Sequence, residues 1–211
     1  MINKTISDPE ILQTALELIK ADGVIVMPTD TVYGVGCDAW SDAGIQRLYD
    51  LKHRSLGKSI PILIGSIRQL ELVAKAVPFA AQRLAEKFWP GALTLVLPKH
   101  AGLPGTISMD DTIGVRYPNH PFTAALLEAS GPMAVTSANL SGMPNTTTAA
   151  QVREQLSESI DLLIDGGETP GPVPSTVVDC TRSAPRVLRV GLIGVEEIRK
   201  ALAVAGISLD E

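Results

Sequence analysis

Arg116 is the residue with the sharpest chemical implication. It lies in the apolar stretch Ile113-Gly114-Val115-Arg116-Tyr117, directly before Pro118. A guanidinium there is costly unless an anion satisfies it. That anion is either a carboxylate of the protein or a carboxylate of a ligand. A second cationic group lies between Leu51 and Leu70, where Lys52, Arg54, Lys58 and Arg68 occur with no Asp or Glu. In a chain of formal net charge −5 this is a local reversal of sign. The planar fork of Arg and the point charge of Lys suit polyphosphate, and a solvated basic face would carry the same residues.

Two loops add hydroxyls and amides. Val24-Ile25-Val26-Met27 is an apolar run short enough to be a buried strand. It leads into Pro28-Thr29-Asp30-Thr31-Val32-Tyr33-Gly34-Val35-Gly36-Cys37, read as a loop of hydroxyls and bare backbone. A loop leaving a buried strand is where an open α/β sheet places its ligand. Thr31 would offer its hydroxyl, Asp30 would orient the loop through backbone N–H groups, and Gly34 and Gly36 would be turn residues. Met133-Ala134-Val135-Thr136 leads into Ser137-Ala138-Asn139, whose side chains either hold phosphate oxygens or cap the next turn. Ser175-Thr176, after Pro174, poses the same choice.

Other chemistries lack their residues. Gly34-Val35-Gly36-Cys37-Asp38-Ala39 matches the dinucleotide fingerprint by letter, but that motif needs its turn directly between strand and helix. Pro28 to Tyr33 intervene, and Asp50 falls at a helix end. Gly57-Lys58-Ser59 resembles the end of a P-loop, yet Lys52 stands where the first glycine belongs and a strand follows. His53, His100 and His120 show no metal spacing. Cys37 and Cys180 form no CxxC pair, which suits a reducing compartment. No apolar run approaches the ~18 residues of a membrane span, and no basic-then-apolar leader opens the chain. A cytoplasmic protein with no membrane partner is the expectation. Apolar residues make up 45% of the 211, enough for a real core.

To position these groups the chain alternates helices and strands. Asp8-Pro9-Glu10 reads as a helix start, with Ile11, Leu12, Ala15, Leu16 and Ile19 on one face. Further helices are expected near 42–51, 67–75, 79–88, 121–129, 148–156 and 195–203. Strands are expected at 24–27, 60–64, 92–97, 113–117, 133–136, 162–164, 175–179 and 186–190, with Pro61 marking an edge or an end. The Gly/Pro-rich stretch 165–174 reads as a surface loop or a lid. Interleaved strands and helices argue for an α/β domain.

Four signatures then occur in order: Pro28-Thr29-Asp30-Thr31-Val32-Tyr33-Gly34, Lys52-x-Arg54, Ser137-x-Asn139 and Pro174-Ser175-Thr176-Val177-Val178-Asp179. Each is weak alone; together they closely resemble the YrdC-like threonylcarbamoyl-adenylate synthases, in their short, single-domain form. The resemblance implies one domain over 1–211, with a twisted, mixed open sheet and flanking helices around a concave basic cavity. It implies a reaction in which L-threonine, bicarbonate and ATP give threonylcarbamoyl-adenylate and pyrophosphate. The product would pass to a tRNA-modifying protein complex and end as threonylcarbamoyladenosine at tRNA position 37; direct tRNA contact would be weak. No covalent nucleophile is required, which fits the absence of a Ser/His/Asp or Cys/His set.

By the same resemblance, Lys52, Arg54 and Lys58 would hold the triphosphate, Lys52 and Arg54 supplying the positioning. Ser137, Asn139 and Asn145 would line the nucleotide site, with Thr112 and Arg189 near it. Thr31, Arg116 and Ser175 would hold threonine, Arg116 pairing with its carboxylate, and Leu63 and Val135 would line that pocket. Mg²⁺ would arrive with ATP, whose phosphates supply most of its ligands. Family members often carry Pro after the Lys-x-Arg and His near position 63; Ser55 and Leu63 stand there instead. The alternative is an RNA-binding module using the 51–70 patch. Aromatic residues are only 4% of the chain, too few near that patch for base stacking.

Overall fold

The computed structural model describes residues 1–53, 55, 57–156 and 160–210. Arg54, expected at the triphosphate, lies outside the described residues. The strands are β1 (Ile2–Thr5), β2 (Ile25–Met27), β3 (Gly34–Asp38), β4 (Ile62–Leu63), β5 (Leu93–Pro98), β6 (Thr112–Arg116), β7 (Met133–Ser137), β8 (Leu162–Asp165), β9 (Thr176–Asp179) and β10 (Arg186–Arg189). The helices are α1 (Ile11–Lys20), α2 (Asp42–Leu51), α3 (Leu70–Val73), α4 (Phe79–Phe88), α5 (Pro121–Ser130), α6 (Ala149–Leu156) and α7 (Val195–Ala203).

All ten strands join one open sheet in the order β1-β8-β2-β3-β7-β4-β6-β5-β9-β10. The pairs β1/β8, β2/β8, β4/β6 and β5/β9 are parallel and the others antiparallel. This is the mixed α/β sheet expected.

Side-chain alternation splits the core in two. On one face Val24, Val26, Val35, Ile62, Leu93, Leu95, Ile113, Val115, Ala134 and Leu163 pack under residues of α2, α3, α4, α6 and α7. On the other face Ile25, Met27, Leu63, Met133, Val135, Leu162 and Ile164 pack, among the described residues, under α1 and α5. That second layer covers β8, β2, β7 and β4 and contributes no core residue over β6, β5 and β9. A sheet twists, so the half left bare becomes a concavity.

Several local readings need correction. Gly34–Asp38 is not loop but a central strand, paired with β2 and β7. Its alternation is real: Val35 and Cys37 enter the first core, while Gly34 and Gly36 occupy the other face. Gly34 and Gly36 are therefore not turn residues. A Cβ on Gly36 would fall 2.6 Å from the Ala134 carbonyl oxygen and 2.6 Å from Val135 Cγ2, so β3 and β7 meet only because nothing is there. Asp8 does not cap α1; its Oδ1 accepts from Glu10 N at 2.9 Å in a turn that precedes the helix. Ser41 does cap α2, accepting from Gly44 N at 2.8 Å. Pro61 precedes β4, whose place between β6 and β7 is internal, so it marks an end and not an edge. β1, a short, mostly exposed strand, was not anticipated.

Candidate active site

The bare half of the second face forms a cavity of about 380 Å³, within the range of ~300–1,000 Å³ common for small-molecule sites. Its floor follows the two-residue period of the strands: Thr94 and Val96 of β5, Gly114 and Arg116 of β6, Val177 next door on β9, Leu63 of β4, and Val135 and Ser137 of β7. Its walls are the loop Thr29–Tyr33, Asn145, Pro174-Ser175 and Arg189. Among the described lining residues there are two arginines and no Asp or Glu.

Arg116 ends β6 and is buried. All three of its donor nitrogens are engaged: Nε donates to the Gly91 carbonyl (3.0 Å), one terminal nitrogen to Thr31 Oγ1 (2.9 Å) and the other to Asp30 Oδ1 (2.5 Å). The anion required by the sequence is thus a protein carboxylate, although the guanidinium still faces the cavity. Asp30 turns its carboxylate to Arg116, which replaces the expectation that it orders the loop through backbone N–H groups.

Thr29 does that ordering. Its hydroxyl donates to the Val32 carbonyl (2.7 Å) and accepts from Thr31 N (3.1 Å) and Val32 N (3.3 Å). Because Thr29 gives its proton to Val32, the 3.0 Å contact with Thr31 Oγ1 must run from Thr31 to Thr29. The chain of donors is therefore directional, Arg116 to Thr31 to Thr29 to Val32. Below it, Thr123 Oγ1 of α5 donates to the Pro28 carbonyl (2.5 Å) and fixes the exit from β2.

Arg189 reaches the mouth through an irregularity. Arg186 and Val187 pair with Asp179 and Val178, but Arg189 pairs with Val177, so Leu188 is an extra residue. Such a bulge re-aims the next side chain: Val187 packs toward the first core and Arg189 lands on the cavity face. Its Nε and a terminal nitrogen donate to the Ser175 carbonyl (3.2 and 3.0 Å), and Ser175 Oγ shares a proton with Thr94 Oγ1 (2.8 Å). Burial lowers the pKa of Arg116, Asp30 opposes that shift, and the charge of Arg189 adds to the lowering. Surrounding protein also lowers the pKa of Arg189, which keeps contact with solvent. Both remain cations at physiological pH. Asp30 pairs with Arg116, and Arg189 faces a described lining without Asp or Glu, so the cavity keeps a net positive charge that suits an anion.

Residues 17–191 match the Sua5/YciO/YrdC family model, described as "Telomere recombination". The chain belongs to the Sua5/YciO/YrdC family. It is 41% identical over 208 residues to the threonylcarbamoyl-AMP synthase of Pyrococcus abyssi, an alignment covering 94% of this chain and 61% of that protein. It is 39% identical to a putative threonylcarbamoyl-AMP synthase of Mycobacterium tuberculosis, covering 93% of this chain and 91% of that one. The crystal structure of P. abyssi Sua5 complexed with L-threonine superposes with a TM-score of 0.91 at 40% identity, over 99% of this chain and 62% of that chain. The chain thus spans about three-fifths of the Pyrococcus proteins.

Within this Sua5/YciO/YrdC fold, all five residues expected to hold threonine, Thr31, Leu63, Arg116, Val135 and Ser175, line the cavity. Of the nucleotide group, Ser137, Asn145 and Arg189 line it too. Lys52 does not reach in. It is buried, with Nζ donating to the carbonyls of Ser137 and Asn139 (2.6 Å to the latter) and to Asn139 Oδ1 (3.3 Å). Asn139 caps its own turn, donating to the Leu140 and Met143 carbonyls (2.9 and 2.7 Å). Lys58 is exposed beyond the lining, Arg68 lies outward 3.7 Å from Glu128, and Thr112 sits two residues before Gly114 on the same face of β6.

Tyr33 ties the walls together. Its hydroxyl donates to the Gly167 carbonyl (2.7 Å) and accepts from Gly166 N (3.1 Å), while Tyr33 N donates to the Thr146 carbonyl (3.0 Å). Asn145 Nδ2 donates to the Pro172 carbonyl (2.8 Å) and Thr169 N to the Thr147 carbonyl (2.9 Å). The 165–174 loop is therefore fastened at several points to the loops beside it. Thr29, Gly91 and Thr94 were missed by sequence reasoning; only Thr29 carried a signal, as a hydroxyl two residues from Thr31.

Proposed function

We propose that this chain is an L-threonylcarbamoyladenylate synthase. The carrying observation is the cavity that holds buried Arg116, oriented by Asp30, and, at its mouth, Arg189. A substrate carboxylate entering there meets a guanidinium already oriented by Thr31 and Asp30. Leu63 and Val135 offer the apolar contact that would read the threonine methyl, and such discrimination is worth only ~1–3 kcal/mol. The similarity to the relatives named above, one crystallised with L-threonine, supports the same substrate here.

The threonine amine attacks carbon derived from bicarbonate, giving a carbamate with loss of water. A carbamate oxygen then attacks the α-phosphorus of ATP and pyrophosphate leaves. The protein supplies orientation and charge, not a nucleophile. Mg²⁺ is proposed to enter with ATP, whose phosphates would provide most of its ligands. Arg54 and Lys58 are proposed to meet those phosphates, with Lys52 holding Ser137 and Asn139 in place for the nucleotide. The product serves threonylcarbamoyladenosine synthesis at tRNA position 37 through a partner complex, work that belongs to the cytoplasm. Among the described residues no helix is long and apolar enough to cross a membrane. The RNA-binding alternative is not favoured: Lys52 is buried and Arg68 lies 3.7 Å from Glu128, which leaves fewer cations available in the patch.

The test is pyrophosphate release from ATP, which should require L-threonine and bicarbonate together, with L-serine a poor substitute. Full release with either one omitted would overturn the assignment. Arg116→Ala should raise the threonine KM; an unchanged KM would remove its carboxylate role.

A further inference from the structure

β10 ends the sheet, and among the described residues its outer edge is met only by a bridge between Arg186 and Asp210. An open edge offers backbone donors and acceptors to any extended chain, and native edges are commonly protected by charge. Here Arg189 is turned into the cavity by the bulge. What faces outward is Leu188, Val190 and Leu192, at 56%, 59% and 50% exposure. Val173, also exposed, joins them, because Leu192 N donates to the neighbouring Pro174 carbonyl (3.3 Å).

Charge narrows the occupant. From Cys180 to Val195 there are three arginines and no Asp or Glu; Arg189 faces the cavity, Arg182 lies exposed 3.7 Å from Asp179, and Arg186 lies exposed on the edge. The chain's own tail shows what the edge accepts: Asp210 bridges Arg186 in parallel, its N donates to the Pro185 carbonyl (2.7 Å), and Leu209 is buried. That tail is apolar and acidic. The bulge resists a long flat strand, which disfavours pairing of two β10 edges and leaves room for a short segment. The opposite edge, β1, carries Lys4 paired with Asp8 (3.2 Å) and lies at the far end of the sheet from the cavity.

We propose that the β10 edge docks a short extended segment of a partner protein, alternating apolar and acidic residues, along Val187 to Val190, with the exposed Leu192 side chain beside it. Its apolar side chains pack on Leu188, Val190 and Val173, and its carboxylates meet Arg182 and Arg186. Pro174, Ser175 and Arg189 line the cavity beside this lip. A docked partner therefore sits where the adenylate leaves, a point that rests on the synthase reading, whereas the docking surface does not.

A fluorescent peptide alternating Asp with Val and Leu is titrated with the full chain, beside the same peptide with Lys for Asp. The acidic peptide should bind saturably and roughly tenfold more tightly than the lysine peptide, weakening with salt. Amide exchange should slow at 187–190. Leu188→Asp and, separately, Leu192→Asp should cut affinity roughly fivefold or more while pyrophosphate release stays at the wild-type rate. Equal binding of both peptides, protection confined to the groove between α4 and α7, or no saturable binding overturns the proposal. So does concentration-dependent dimerisation abolished by Leu188→Asp, which assigns the edge to a second copy. Peptide binding without pyrophosphate release from the wild type would sink the synthase reading alone.

Discussion

Replacing Thr31 by valine tests the directional chain of donors at its centre. Valine nearly matches threonine in volume, so little cavity or overpacking cost enters. The hydroxyl is lost, and with it the acceptor 2.9 Å from Arg116 and the donor 3.0 Å from Thr29 Oγ1. Thr29 keeps its own bond to the Val32 carbonyl and both backbone donors. The orphan is therefore one charged N–H on a buried arginine, worth about 2–3 kcal/mol. For a chain of this length that lowers Tm by roughly 4–12 °C. Losing the Thr31 hydroxyl from the proposed threonine site, at the same cost of about 2–3 kcal/mol, raises the threonine KM by roughly 30- to 150-fold, with kcat at saturating threonine little changed. Scanning calorimetry and pyrophosphate release read the two effects, and Thr31→Ser should restore most of both. A Thr31→Val protein with wild-type Tm and KM, or a serine variant no better than valine, would refute the reasoning.

Three further outcomes are expected. Asp30→Asn removes the charge beside Arg116, destabilising the protein by about 3 kcal/mol; saturating L-threonine should recover more Tm than it adds to the wild type, and an equal increment would show that the ligand does not replace Asp30. Gly36→Ala should destabilise more than Gly34→Ala in urea unfolding, because its Cβ meets the Ala134 backbone oxygen, whereas that of Gly34 meets only Val135 Cγ1 at 2.8 Å; Val135→Ala should rescue the Gly34 variant and not the Gly36 variant. Burial pushes the thiols of Cys37 and Cys180 up to about 12, so both should resist alkylation until the chain unfolds. The folded state then holds protons that the unfolded chain releases, and each thiol should subtract about 1.4 kcal/mol of stability per pH unit above about 9, visible as a falling urea midpoint; a midpoint flat from pH 9 to 10 would contradict that burial.

Helices α1, α2 and α5 and strands β2, β5 and β7 are legible because apolar periodicity and local stop signals agree there. β3 is not, because its second face is glycine: Gly-Val-Gly-Cys alternates only once one knows that Val135 fills the place of the missing side chains. The cavity residues on β4, β6 and β7 follow from the motifs that carry the family resemblance. Their partners do not. The bond from Arg116 to the Gly91 carbonyl spans 25 residues and those from Lys52 to Ser137 and Asn139 span 85 and 87, distances over which no local pattern reports. Lys52 reads as part of an exposed basic loop for that reason and is instead a buried clasp on β7.

The bulge at Leu188 makes Arg189 depend on counting and not on identity. Alternation along a strand is a matter of parity, and one inserted residue is a phase slip of half a period. Several residues could stand at 188 and leave the arginine pointing into the cavity. Deleting that single position would set Arg189 directly after Val187 and opposite Val177, where plain alternation still turns it to the cavity, whereas a regular strand that kept residue 188 would turn it toward the first core. For this part of the site, the phase of the pairing is the variable under constraint, more than the identity of the residue that is bulged out.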